Sequence, residues 1–269
     1  MTQTVAVLGT GKIGEALLSG MIRAGWRPAD LLVTTRRADR EAELRDRYGV
    51  EPVTNAEAAK RADILILAVK PQDMGTLLSE LGPHLGADRL VISAAAGITA
   101  AFIEERLAAG TPVVRVMPNT PVVVDEGMSV ISAGRHATAE HLGHAEEIFG
   151  GVGKTLRVPE SQQDAATALS GSGPAYFYFL VEAMTDAGIL LGMPRAQAHE
   201  LIVQAAIGAA VMLRDSGEHP VKLREAVTSP AGTTISAIRE LENHGVRAAL
   251  IAALEAARDR SRELASGNG

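Results

Sequence analysis

The chain contains no cysteine, which excludes disulfides, thiolate metal sites and a cysteine nucleophile at the outset. Aromatic residues are almost as scarce, with one Trp, three Tyr and four Phe among 269 residues. Positive charge is in the minority, 26 basic against 32 acidic residues for a formal net charge of −6. A nucleic-acid surface needs a basic face and usually aromatic stacking platforms, and this composition argues against one. Lysine occurs only at positions 12, 60, 70, 154 and 222. The opening MTQTVAVLGTG has neither the basic nor the long apolar segment of a signal peptide, which points to a cytoplasmic protein. The most apolar stretch, LIVQAAIGAAVML at 201–213, is shorter than the roughly 20 residues a bilayer span requires and contains Gln204. It reads as a buried helix, not a membrane segment.

What is present divides the chain in two. Up to about residue 158, short β-branched runs alternate with helical patterns: VAVLG (5–9), LLVTT (31–35), DILILAV (63–69), RLVISAA (89–95), PVVRVM (112–117), MSVISA (128–133) and KTLRV (154–158). Several are apolar throughout, as strands covered by helices on both faces must be. That predicts an α/β domain over 1–159 built on a doubly wound parallel sheet. After PESQQD (159–164) the strand signals stop, and apolar positions recur at helical spacing through 165–191, 195–213, 232–242 and 246–265. An all-helical domain over 160–269 follows. Its helix at 196–213 is apolar nearly all round, more than a small domain can cover, so it is expected to bury itself against another subunit.

Gly9-Thr10-Gly11-Lys12-Ile13-Gly14 follows the first strand and opens a helix. The first glycine permits a tight turn, the second lets backbone N–H groups approach a pyrophosphate, and the third allows helix and strand to pack closely. With strand before and helix after, this is a Rossmann-type dinucleotide signature. The end of the second strand decides which dinucleotide, because NAD sites place an acid there for the ribose 2′-hydroxyl. Here it reads Val33-Thr34-Thr35-Arg36-Arg37, with no carboxylate in sequence to repel a 2′-phosphate. NADP(H) is favoured, with NADH as the weaker partner; the plainer reading leaves Arg36 and Arg37 solvated at a helix start. Ala68-Val69-Lys70-Pro71 and Ala94-Ala95-Ala96-Gly97 stand at later strand ends, where ligands of such sheets lie. Lys70 is a candidate phosphate or ribose contact, or else merely solvated.

The helical domain offers few of the expected catalytic groups. Lys222 is its single lysine, which weakens a 3-hydroxyacid dehydrogenase reading. His136, His141 and His144 lack zinc spacing and lie on a polar helix, so no metal site is expected. The stretch TSPAGTTI (228–235) stands apart: uncharged, rich in hydroxyls, and leading into a periodic helix. A helix N-terminus with small residues exposes free N–H groups, a good seat for a substrate carboxylate. An ordinary helix cap would read the same way.

GTGKIGEALLSG, AVKP, VVRVMPNTP, LSGSGPAYFY and VTSPAGTTISAIRELE together resemble the bacterial pyrroline-5-carboxylate reductase family, over nearly the whole chain. The resemblance implies NADPH-dependent reduction of a cyclic imine to L-proline. It implies that the backbone of Gly232, Thr233 and Thr234 holds the substrate carboxylate and that the Thr234 hydroxyl faces the ring nitrogen. Glu160 is similar to a glutamate lining the substrate site. On the cofactor side the likeness extends to Lys12, Ile13, Thr35, Arg36, Asn55, Val69, Lys70 and Ala96. Family members often carry Gly-Gly where this chain has Ala231-Gly232, a change expected to matter little. The Gly171-Ser172-Gly173-Pro174 break is expected to bend a helix near the substrate. The likeness further implies homodimers through the helical domain, often assembled into decamers. Two other readings stay open on the residues alone: a related imine or hydroxyacid reductase, and a dinucleotide-binding sensor without turnover.

Overall fold

The structure, a computed structural model, describes residues 3–265. Eight strands form one sheet: β1 Val5–Leu8, β2 Leu31–Thr34, β3 Glu51–Pro52, β4 Ile64–Leu67, β5 Leu90–Ser93, β6 Val113–Met117, β7 Gly127–Ala133 and β8 Gly153–Arg157. Their spatial order is β3-β2-β1-β4-β5-β6-β7-β8. The helices of this region are α1 Lys12–Arg23, α2 Ala38–Tyr48, α3 Asn55–Arg61, α4 Met74–Leu81, α5 Ala100–Glu104 and α6 Ala139–Gly150. The central strands β1, β2, β4 and β5 are buried at every residue, as the unbroken apolar runs require when both faces are covered. Alternate residues feed two cores. Val5, Val7, Ile64 and Ile66 pack with Leu17, Leu18 and Phe149 on one face, while Ala6, Leu8, Leu65 and Leu67 pack with Leu78 and Ile103 on the other.

The sheet is not parallel throughout. β6 and β7 pair antiparallel, Val114 opposite Ala133 and Met117 opposite Val130, and β8 then runs parallel to β7. The link at 118–126 holds only a short 3-10 turn, Thr120–Val124. A parallel return needs a crossover of about a dozen residues or more, so this link turns the chain back on itself. β3 spans two residues, too short to leave a sequence signal.

The remaining helices are α7 Gln163–Ala166, α8 Gly173–Leu190, α9 Arg195–Ser216, α10 Pro220–Ala226, α11 Thr233–Asn243 and α12 Val246–Ala265. Between α7 and α8 lies a π-helical turn, Thr167–Gly171. The Ser172 N–H donates to the Thr167 carbonyl at 2.8 Å, so the expected bend is here a widened turn, with one residue more than an α-helical ladder holds. α9 runs for 22 residues, longer than the apolar run suggested, and is the one helix among the described residues long and apolar enough to cross a membrane by length and composition. The length argument against a span therefore falls away. α10 was hidden behind its Pro220 start and is capped by His219, whose ring nitrogen accepts the Val221 N–H at 3.3 Å.

By compactness the chain divides at Ser172, and the stretch Ala257–Ala265 belongs with the first unit. Ser261 donates to Asp164 at 2.7 Å within it. The second unit is Gly173–Ala256. It buries little: Gly173, Thr185 and Gly188 in α8, Ala198 in α9, and no residue of α10 or α11.

Candidate functional site

β1 ends where the chain must turn sharply into α1. Gly9 sits at φ +93°, and a Cβ there would stand 2.8 Å from the Ala68 carbonyl oxygen. A Cβ on Gly14 would stand 2.1 Å from the Gly9 carbonyl oxygen. Helix and turn are therefore in backbone contact, and only glycine fits. Gly11 caps α1 without any side-chain hydrogen bond, and no atom lies within 4 Å of where its Cβ would be. The first-turn N–H groups of α1 lack intrahelical acceptors. Next to them the Thr10 hydroxyl is buried and has no protein partner.

Gly9, Thr10 and Gly11 line a cleft of about 550 Å³ at the carboxyl ends of β1, β2 and β4. Of the residues singled out in the sequence, it brings together Gly9, Gly11, Thr35, Arg36, Asn55, Ala68, Val69 and Lys70. Lys12, Ile13 and Gly14 belong to the first turn of α1 behind the loop, and Ala96 lies exposed beyond β5, outside the cleft lining. A dinucleotide fits this donor set: an open helix N-terminus, an orphaned hydroxyl in the glycine loop, and cations at the far end.

Sequence reasoning missed the acids. Asp73 and Glu80 also line the cleft, although no carboxylate stands at the end of β2. Arg36 donates to both Asp73 oxygens, at 3.3 and 3.0 Å, and Asn55 donates to Glu80 at 2.6 Å. They arrive from the segment after β4, a different strand end. The absence of an acid in sequence near Arg36 is thus not an absence in space. Arg37 is paired with Asp39, and Arg40 with Glu15 and Glu43. Burial works to raise the Glu15 pKa, but hydrogen bonds from Arg40 and Tyr48 and the charges of Arg40 and Arg47 carry it below the ordinary carboxylate value.

Glu160 has a structural task within the first unit. Its Oε1 accepts the Ala100 N–H at 2.8 Å and the Arg115 guanidinium at 3.3 Å. Arg115 is almost wholly buried and its second terminal nitrogen has no partner. Asn119, at the end of β6, donates to the Ser170 carbonyl at 3.1 Å and accepts the Met128 N–H at 2.8 Å. It ties the π-turn to the start of β7.

In the second unit, Gly232 is the N-cap of α11, with no side-chain cap hydrogen bond. Thr233 and Thr234 are its first two helical residues, so the threonines do not cap the helix and its first-turn N–H groups lack intrahelical acceptors. A Cβ at Gly232 would meet the Ser229 hydroxyl at 2.3 Å. Thr228 donates to the Arg224 carbonyl at 2.6 Å, closing the loop from behind. Ala231 sits at φ +54°, a left-handed conformation that costs an L-residue roughly 1–2 kcal/mol. The Gly-to-Ala difference from the family pattern is therefore not neutral for the backbone.

A glycine-loop cleft on a doubly wound sheet, followed by a helical unit carrying an open helix N-terminus, defines a nicotinamide-dependent oxidoreductase of the two-domain class. The comparisons agree: residues 4–97 match the family described as NADP oxidoreductase, coenzyme F420-dependent, and residues 160–264 match pyrroline-5-carboxylate reductase dimerisation. The chain is 49% identical over 265 residues to a pyrroline-5-carboxylate reductase of Corynebacterium melassecola, covering 97% of this chain and 98% of that one. Among solved structures, the pyrroline-5-carboxylate reductase of Coxiella burnetii superimposes with a TM-score of 0.93 at 36% identity, over 98% of this chain and 99% of the other. The Plasmodium falciparum enzyme, solved with NADP bound, gives 0.87 at 28% identity, over 98% of each chain. The chain belongs to the pyrroline-5-carboxylate reductase family.

Proposed function

We propose that the chain reduces 1-pyrroline-5-carboxylate to L-proline, the closing step of proline biosynthesis, with NADPH as hydride donor and NADH as a weaker one. The nicotinamide supplies a hydride to C5 of the imine, and the ring nitrogen keeps its proton as the C=N bond becomes a single bond. A protonated imine is already a strong acceptor, so the enzyme's task is to align it and stabilise the nitrogen. A neutral hydroxyl suffices for that, and the uncharged, hydroxyl-rich stretch 228–235 offers one.

In this reading residues 1–159 serve the cofactor. Gly9, Gly11, Lys12, Ile13 and Gly14 present the turn and first N–H groups of α1 to the pyrophosphate. Thr35, Arg36 and Asn55 take the adenosine end, and Ala68, Val69, Lys70 and Ala96 border the nicotinamide side. Residues 160–269 serve substrate and assembly. The Gly232, Thr233 and Thr234 backbone holds the carboxylate, and the Thr234 hydroxyl bonds the ring nitrogen. Glu160 lines the substrate site while also holding Arg115. The chain acts in the cytoplasm as a homodimer, with decamers as the larger assembly, and neither nucleic acid nor membrane is a partner. Against a membrane role for α9 stand His199, Glu200 and Gln204 in its first half.

The observation that carries the reading is the N-terminus of α11, where a glycine cap without a side-chain hydrogen bond leaves the first-turn N–H groups for an anion. NADPH oxidation by the purified protein tests it. Turnover is expected with pyrroline-5-carboxylate, exceeding that with piperideine-6-carboxylate or small hydroxyacids. Cofactor binding without turnover on any of them would leave only a sensor. Thr234→Ala is expected to lower turnover about tenfold or more, equivalent to about 1.4 kcal/mol, with NADPH affinity unchanged. Thr234→Ser should keep most activity because it keeps the hydroxyl.

A further inference from the structure

Among the described residues, the one carboxylate paired with Arg36 across the cleft comes from the segment after β4, not from the end of the second strand where NAD sites place their acid. Both Asp73 oxygens accept from the Arg36 guanidinium, at 3.3 and 3.0 Å. The two partners are unequally held. The Arg36 side chain is 84% exposed and the Asp73 side chain 30%. Asp73 closes a 3-10 turn through its N–H to the Lys70 carbonyl at 2.9 Å and precedes the fully buried Met74. Asp73 is the more firmly held of the two.

We propose that Asp73 is a specificity-determining residue of the cofactor site, and that its carboxylate, fixed beside Arg36, narrows the preference for NADPH over NADH. The inference rests on the dinucleotide reading of the cleft. A 2′-phosphate reaching Arg36 must displace an exposed ion pair, which is a weak competitor, but it then lies near an anion that does not leave. A ribose 2′-hydroxyl in the same place meets no repulsion and gains an acceptor, as it does from the acid at the end of the second strand in NAD sites. Both effects act on the ratio in one direction. Arg37 and Arg40 do not relieve it, since each is already paired with carboxylates of its own.

The test is binding of NADPH and of NADH to the full-length protein without substrate, by calorimetry, for the native chain, Asp73→Asn and Asp73→Ala. Both substitutions are expected to raise the NADPH-to-NADH affinity ratio about tenfold, and the rise should shrink as salt screens the charge. A ratio that stays level or falls in both variants, while the native protein binds NADPH, overturns the role of Asp73 and leaves the cofactor site standing. If the native protein binds neither nucleotide, the site and the inference fall together. Melting temperatures measured on the same samples separate a folding defect from a change in preference.

Discussion

In the unit that runs to Ser172, Leu65, Leu67 and Phe149 are sealed from water; in Gly173–Ala256, Phe177, Phe179 and Leu190 stand 66%, 69% and 89% exposed. The two regions draw on the same apolar residues and differ in what closes over them. A strand sheet with helices on both faces covers itself, so the first unit finishes its own core. The helices α8 and α9 are apolar on more sides than neighbours in the same unit can cover. A family match described as dimerisation falls on residues 160–264, and a second copy is the cover proposed for that face. Exposed apolar area on this scale marks an interface.

The contrast can be broken at either end. Phe179→Asp is expected to abolish association outright, giving a monomer in sedimentation that still binds NADPH, because the cleft lies in the other unit. A stable dimer of that variant would show that the α8 face is not the seam. Leu65→Ala, in the closed core, is expected to cost 2–5 kcal/mol of stability, through a loss in melting temperature that does not depend on protein concentration. Concentration-dependent melting belongs to the second unit instead. Arg36→Glu should weaken NADPH about tenfold or more, about 1.4 kcal/mol, and NADH far less; equal losses would mean that Arg36 does not read the phosphate. Ala231→Gly should stabilise the second unit by about 1 kcal/mol by relieving the left-handed alanine, measured as a raised denaturant midpoint.

The smallest effect belongs to Glu15. Its folded pKa lies below the ordinary carboxylate value, so its contribution to stability is complete above the unfolded value of about 4.3 and is lost as pH falls through the folded one. The pair is partly exposed and the contribution is on the order of 0.5 kcal/mol. Comparing denaturant midpoints of the native chain and Glu15→Gln at pH 6 and pH 3 checks it: the difference between the two proteins should be larger at pH 6.

The strand series and its glycine loop were readable because each is a local pattern with a local cause. Residues 64–67 are apolar without a break because both faces are covered, and Gly9 to Gly14 are spaced by the turn they form. The features that escaped depend on distance or on length. The reversal of β7 is set by the short link at 118–126, which no propensity of MSVISA reveals. Arg36 and Asp73 follow β2 and β4, which flank β1, so their meeting is a matter of strand order. The Arg115–Glu160 contact joins residues 45 apart in sequence, and the sole local hint was an arginine inside an otherwise apolar strand. The stretch 228–235 was legible in kind, as a helix start rich in hydroxyls, but not the geometry that leaves Gly232 as its cap and turns Ala231 left-handed.

A consequence follows from the thin burial of Gly173–Ala256 for how rate scales with amount. The loop bearing Thr234, proposed above to hold the substrate, is carried by a unit that buries almost nothing of its own, and on that reading its working geometry comes into being with the assembly. At chain concentrations well below the dissociation constant the number of complete sites grows as the square of the number of chains. Specific activity, counted per native chain, should then fall on dilution, and rise again when chains carrying the slowed Thr234→Ala loop but an intact apolar face are added in excess as partners.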